Sequence, residues 1–192
     1  MSTASISNLT AAEYLERERA AETKSEFLDG EVFPMAGASR EHNLIEINIA
    51  ALLHQQLRDR DCEVYGSDMR VKVTPTGLYT YPDVSVVCGV PQFEDVEVDT
   101  LLNPTLIVEI LSESTEVYDR GEKSAHYRRL PSCTDYLLVA QDRYHIEHFS
   151  RTEDGGWLLR EAIGSDVVLE IPSLDLRLPL SEAYLKVAIP AN

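Results

Sequence analysis

An α/β fold, with a mixed and twisted central β-sheet flanked by helices, is predicted by three features of the chain. Two segments, 10–22 and 39–57, begin with capping residues, and the longer carries apolar positions at helical spacing. Short apolar and β-branched runs follow at 63–65, 69–73, 82–87 and 106–111. A helical segment over 117–130 then separates the 106–111 run from a second group of strand-like runs, an alternation that belongs to α/β architecture.

Taken in order, Thr10 suits an N-cap, and Glu13 three residues on completes a capping-box pattern for a helix over 11–22. Asp29-Gly30, flanked by Phe27-Leu28 and Val32-Phe33, is a strong signal for a tight β-hairpin over 25–35. Ser39 caps the main amphipathic helix, whose apolar face is Leu44, Ile45, Ile49, Leu52 and Leu53. After the four strand-like runs, the 117–130 helix must stop before Pro131. Strands are predicted over 136–140, 144–149 and 157–161, the last two joined by the Asp154-Gly155-Gly156 turn. Pro172 breaks 167–178 into two short strand-like pieces, and 181–187 offers a final helical turn or two. No repeat, low-complexity tract or linker interrupts the series. With 192 residues, 44% of them hydrophobic, the chain suffices for one well-packed core and is short for two. A single domain is expected over 10–190, with 1–9 as an N-terminal tail.

The formal net charge is −16, from 33 acids against 17 Lys and Arg, so the long-range field repels nucleic acid. Lys123, Arg128 and Arg129 form one local basic cluster that could reverse the sign in a cleft. Cys62, Cys88 and Cys133 are far apart and lack any Cys-x-x-Cys pair, so they are expected to be reduced, buried and apolar in behaviour. Residues 1–10 show neither a basic n-region nor an apolar h-region, and no run approaches the roughly 18 apolar residues of a membrane span. No membrane association and a cytoplasmic location are expected.

Chemistry enters with Glu109. It interrupts the apolar run Thr105 to Leu111, which reads as a strand buried on both faces, where an uncompensated carboxylate costs several kcal/mol. Asp83 stands at the mouth of a second such strand, directly after Pro82. Two buried acids must be neutralised by protons, by Lys or Arg, or by a divalent ion held through hard oxygens. Mg²⁺ or Mn²⁺ suits a two-acid site, with the Ile110 carbonyl as a further ligand. For Lys123 two readings stand: a cation that reaches this site, or a surface partner of Asp119 at i, i+4. Glu31 and His42 are secondary candidates, each with an ordinary surface role as the alternative. No nucleophile elbow, phosphate loop or dinucleotide fingerprint occurs. His145 and His148, three apart on a strand, face opposite sides, which argues against zinc.

The order Pro82-Asp83, then Glu109, then a helix bearing Lys123 resembles the PD-(D/E)xK nuclease pattern in a variant form. Asp29-Gly30-Glu31, Met35, Ser39 to His42, Tyr81 to Val84, Pro104, Val108 to Ser112, Asp119, Lys123, Tyr127 and Asp135-Tyr136 together resemble the restriction-endonuclease-like family called Uma-two. The lysine usual two residues after the second acid is replaced by Leu111. The resemblance implies that Lys123 supplies the missing ammonium and that Asp83, Glu109, Lys123, Glu31 and His42 line one cleft. It implies a restriction-endonuclease-like fold and a metal-dependent endonuclease, a hydrolase of phosphodiester bonds in DNA that uses Mg²⁺ or Mn²⁺ and works as a homodimer. The alternative is a catalytically silent, nuclease-like binding or assembly module.

Overall fold

The computed structural model describes residues 8–112 and 115–189; of the expected tail 1–9, only Asn8 and Leu9 fall within them. The first helix, α1 (Ala11–Ala20), starts where the capping box predicts: Thr10 Oγ1 accepts from the Glu13 amide, and the Thr10 amide donates back to the Glu13 carboxylate at 2.9 Å. Strands β1 (Ser25–Leu28) and β2 (Glu31–Pro34) form the expected hairpin. Its turn needs two positive φ angles, which Asp29 (50°) and Gly30 (87°) supply, and a Cβ on Gly30 would also press on the Asn8 backbone at 3.3 Å. Helix α2 (Arg40–Leu57) is capped by Ser39, whose hydroxyl accepts from the His42 amide, and it buries Ile45, Ile49, Leu53 and Leu57 on one face.

The chain continues through β3 (Cys62–Gly66), β4 (Arg70–Val73), β5 (Leu78–Thr80), β6 (Val84–Cys88), β7 (Thr100–Leu101) and β8 (Leu106–Ile110). A crossover follows, made of α3 (Glu116–Tyr118), a π-helical turn over Asp119–Lys123 and α4 (Ser124–Tyr127). Then come β9 (Asp135–Val139), β10 (His145–Arg151), β11 (Trp157–Ile163), β12 (Val168–Ile171), a 3-10 turn (Pro172–Leu174), β13 (Leu176–Pro179) and α5 (Leu180–Ala183). The central six-stranded sheet has the order β11-β10-β9-β8-β6-β3. It is mixed, because β8 and β9 run parallel while every other neighbour is antiparallel. Parallel neighbours need a crossover, and the segment that supplies it carries Lys123.

Both faces of this sheet are covered. Val84, Val86, Val108 and Leu137 pack with α2, the β12–β13 hairpin and α5. Val87, Ile107, Leu138 and Tyr136 pack with Val71 and Leu78 of a smaller five-stranded sheet, β2-β1-β5-β4-β7. Because side chains alternate along β8, Glu109 shares the second face with Ile107 and points between the two sheets.

Three expectations need correction, and two strands were not foreseen. The 117–130 helix is shorter and is broken by the π turn, and β5 and β7, three and two residues long, are too short to leave a pattern. Cys62 and Cys88 form a disulfide, since they are direct register partners on β3 and β6 with Cα atoms 4.0 Å apart. A separation of 26 residues in sequence carries no sign of that register. Cys133 remains buried and free. The basic cluster does not exist as a surface patch either, because Lys123 is buried among acids. Among the described residues, no helix is long and apolar enough to cross a membrane.

Candidate active site

Asp83 immediately precedes β6, and the register that pairs Val84 with Val108 sets it beside the C-terminal end of β8. The Ile110 amide donates to Asp83 Oδ2 at 2.6 Å, and His42 Nε2 lies 2.8 Å from Oδ1. Both oxygens of Asp83 are therefore held. His42 comes from the first turn of α2, and its imidazole is tied to Asp83 as the Ser39 cap fixes the start of that helix.

Glu109 is 4% exposed, and its Oε1 accepts from Tyr127 Oη at 2.7 Å and from Lys123 Nζ at 2.9 Å. Lys123 turns inward because the π turn widens the backbone there: the Ser124 amide reaches back to the Asp119 carbonyl, five residues away. Its ammonium touches three carboxylates: Glu109, Glu26 at 3.0 Å and Asp119 at 3.7 Å. The surface pairing with Asp119 is thus the longest of the three contacts, and Lys123 is 4% exposed. Glu26, on β1, also accepts from Thr80 Oγ1 at 2.5 Å.

The electrostatics follow from one ammonium among three buried acids. Burial pushes the Glu109 carboxyl well above the usual range; Lys123 opposes that shift, and Asp83 and Asp119 add to it. Asp119 is raised by burial as well. Burial works against the Lys123 ammonium, but Glu109, Glu26 and Asp119 outweigh it and hold its pKa well above the ordinary value. Lys123 stays a cation. For His42 too, burial disfavours the charge, and the hydrogen bond and charge of Asp83 win, raising it above 6.5.

Four of the five residues predicted from sequence thus meet in one region: Asp83 with His42, and Glu109 with Lys123, the two pairs coupled by the Asp83 charge at Glu109. Glu31 does not join them. It sits at the start of edge strand β2 opposite Leu28, and no hydrogen bond or ion pair links it to the group. Ile110 contributes its amide to Asp83. Glu26 and Glu46 escaped notice. Glu26 carries the signal that exposed Glu109, an acid within an apolar strand, but beside Ser25 that signal is faint. Glu46 is one helical turn from His42, and their ligand atoms and that of Asp83 lie within 4.8 Å of one another. His145 and His148 part as predicted: His145 bonds Glu161 on the surface, and the fully buried His148 bonds Asp135.

The backbone defines a mixed α/β class. It superposes on a crystal structure described as "a putative nuclease belonging to DUF820" from Anabaena variabilis with a TM-score of 0.75. That match has 18% identity and covers 92% of this chain and 98% of the other. Residues 11–181 match the Uma2 family, described as "Putative restriction endonuclease", and the chain belongs to that family. Two relatives come from Synechocystis sp., both described as uncharacterized proteins. The first, sll1609, is 43% identical over 162 residues, covering 84% of this chain and 92% of that protein. The second, slr1290, is 36% identical over 176 residues, covering 92% of this chain and 91% of that protein.

Proposed function

We propose that this chain is a divalent-metal-dependent endonuclease that hydrolyses phosphodiester bonds in DNA and acts in the cytoplasm as a homodimer. The observation that carries the reading is the charge imbalance: Glu26, Glu109 and Asp119 surround a single ammonium, with Asp83 adjoining. Buried carboxylates in excess of cations demand protons or a metal. The donors fit Mg²⁺ or Mn²⁺, because Asp83 and Glu109 offer hard oxygens from two adjacent strands, with the Ile110 carbonyl as the further ligand this reading assigns. Bound there, a divalent ion would neutralise charge on the phosphate and lower the pKa of a water.

The chain's own residues divide the remaining work. Ile110 and His42 orient Asp83, and Tyr127 orients Glu109. Lys123, held as an ammonium, stabilises anionic charge on the reacting phosphate and does not accept the proton of the attacking water. Glu31, at the start of β2, is not linked to this group by a hydrogen bond or ion pair and is given no role in this reading. The family membership and the nuclease-like fold support the reaction class.

Plasmid and oligonucleotide cleavage with Mg²⁺ and Mn²⁺ tests the reading. The parent should cut in either metal and not in EDTA, while Asp83→Asn and Glu109→Gln should abolish cutting. Lys123→Met should bind metal normally and cut roughly 10²-fold more slowly, and Lys123→Arg should rescue poorly because its planar fork sits differently. Parent protein that binds metal and leaves DNA and RNA intact would instead be a silent binding module.

A further inference from the structure

We propose that His42, Glu46 and Asp83 form a second divalent-cation site, one that accepts an imidazole ligand and therefore takes Mn²⁺ in preference to Mg²⁺. The three side chains present one nitrogen and two carboxylate oxygens, all within 4.8 Å of one another. His42 and Glu46 are i, i+4 on α2, so the rigid helix holds both on one face, and Asp83 approaches that face from the start of β6.

A second trio in the same chain shows what an ordinary cluster looks like. His145, Glu147 and Glu161 are equally close, but there Arg120 pairs with Glu147, so one of the two acids is compensated by a guanidinium. Around His42 the balance differs. Among the described residues, no lysine or arginine forms an ion pair with Glu46 or Asp83, and Asp119 adds a third negative charge in range of the imidazole. The imidazole, which pairs with Asp83 at 2.8 Å, is thus the one side-chain partner these two carboxylates have among the basic groups of the described residues. Asp83 is also supported as a ligand should be: the Ile110 amide fixes Oδ2 and leaves Oδ1 turned towards His42.

The ligand types set the preference. Mg²⁺ is hard, favours oxygen and keeps several waters, whereas Mn²⁺ tolerates nitrogen and lies on the affinity series that rises with imidazole ligation. Asp83 would be common to this site and to the Asp83–Glu109 site proposed above. Only the word "second" rests on that proposal.

Calorimetric titration of the full chain with Mn²⁺, repeated in saturating Mg²⁺, tests the site alongside electron spin-echo spectroscopy of bound Mn²⁺. The parent should bind two Mn²⁺, one of which Mg²⁺ does not displace, and that ion should show modulation from a directly bound nitrogen. His42→Asn should abolish the nitrogen signal, and Glu46→Gln should weaken that ion at least about tenfold. Near-ultraviolet circular dichroism checks that each variant is folded, and Glu46→Ala replaces any that is not. A parent without nitrogen modulation, or a Mg²⁺-resistant ion indifferent to His42→Asn and Glu46→Gln, overturns the site. Retention of that ion in Glu109→Gln supports it, even if the same chain proves unable to cleave DNA.

Discussion

Glu109 and Lys123 form an ion pair that neither partner can complete alone, since Lys123 answers to Glu26 and Asp119 as well. The folded Glu109 carboxyl has a pKa well above 4.5. The native state therefore retains a proton that the unfolded chain releases, and the metal-free protein loses stability as pH rises from that value through the folded pKa. Glu109→Gln should flatten this slope. In EDTA at pH 7.5 the variant should unfold within about 1 kcal/mol of the parent or above it, because like charges in the cluster are relieved. Urea melts at pH 5 and 7.5 give the comparison; a loss of about 3–5 kcal/mol at pH 7.5 would mean that Glu109 is chiefly a structural partner of Lys123. At this scale the sequence was informative wherever a charge interrupts an apolar run, as at Asp83 and Glu109. It was mute for Glu46, half-buried on a helix turn, and it left Glu31 open, because a place after a hairpin glycine looks the same whether or not the strand edge meets the site.

Elements long enough to complete their period were legible: α1 and α2 with their caps, the β1–β2 hairpin, β6, β8 and the strands after the crossover. β5 and β7 were not, being shorter than two full alternations. Cross-strand register is the other blind spot, and the Cys62–Cys88 bond is its clearest product. The bond ties edge strand β3 to β6, the strand that follows Asp83, and closes a loop of sequence separation 26. By loop-closure entropy its reduction should lower stability by about 3–4 kcal/mol. Thermal melts with and without a dithiol, set beside a Cys62→Ser/Cys88→Ser variant, measure this. Equal melts would show that the bond adds nothing. Such bonds persist in oxidising surroundings, and the expected cytoplasmic setting would favour the open, dithiol form.

For the whole molecule, the central sheet has two edges, and they differ. β3 is stapled to its neighbour, while β11 is seven residues long and leaves Leu158, Leu159 and Ile163 exposed at 42%, 45% and 64%. A long, apolar, unpaired edge is a template for another strand, and a second copy of β11 would continue the sheet. A dimer is therefore expected at micromolar concentration by light scattering, and Leu159→Lys should convert it to monomer without loss of fold. Parent protein that elutes as a monomer would remove the homodimer. The net charge of −16 bears on the same scale: with Lys123 buried among acids it offers no surface charge to offset it, so DNA affinity should depend on the bound divalent ions.

The π turn at Asp119–Lys123 makes chain length itself a carrier of information. A π turn holds one residue more than an α turn, and that extra residue widens the ring closed by the Ser124 amide on the Asp119 carbonyl. Loss of one residue here, Gly121 for instance, would close the ring to the ordinary repeat and shorten the Asp119–Lys123 spacing from four residues to three. Deletion of a glycine at which even a Cβ would meet no neighbour would thus re-aim the lysine among its three acids, and a comparison of side chains one by one would miss it.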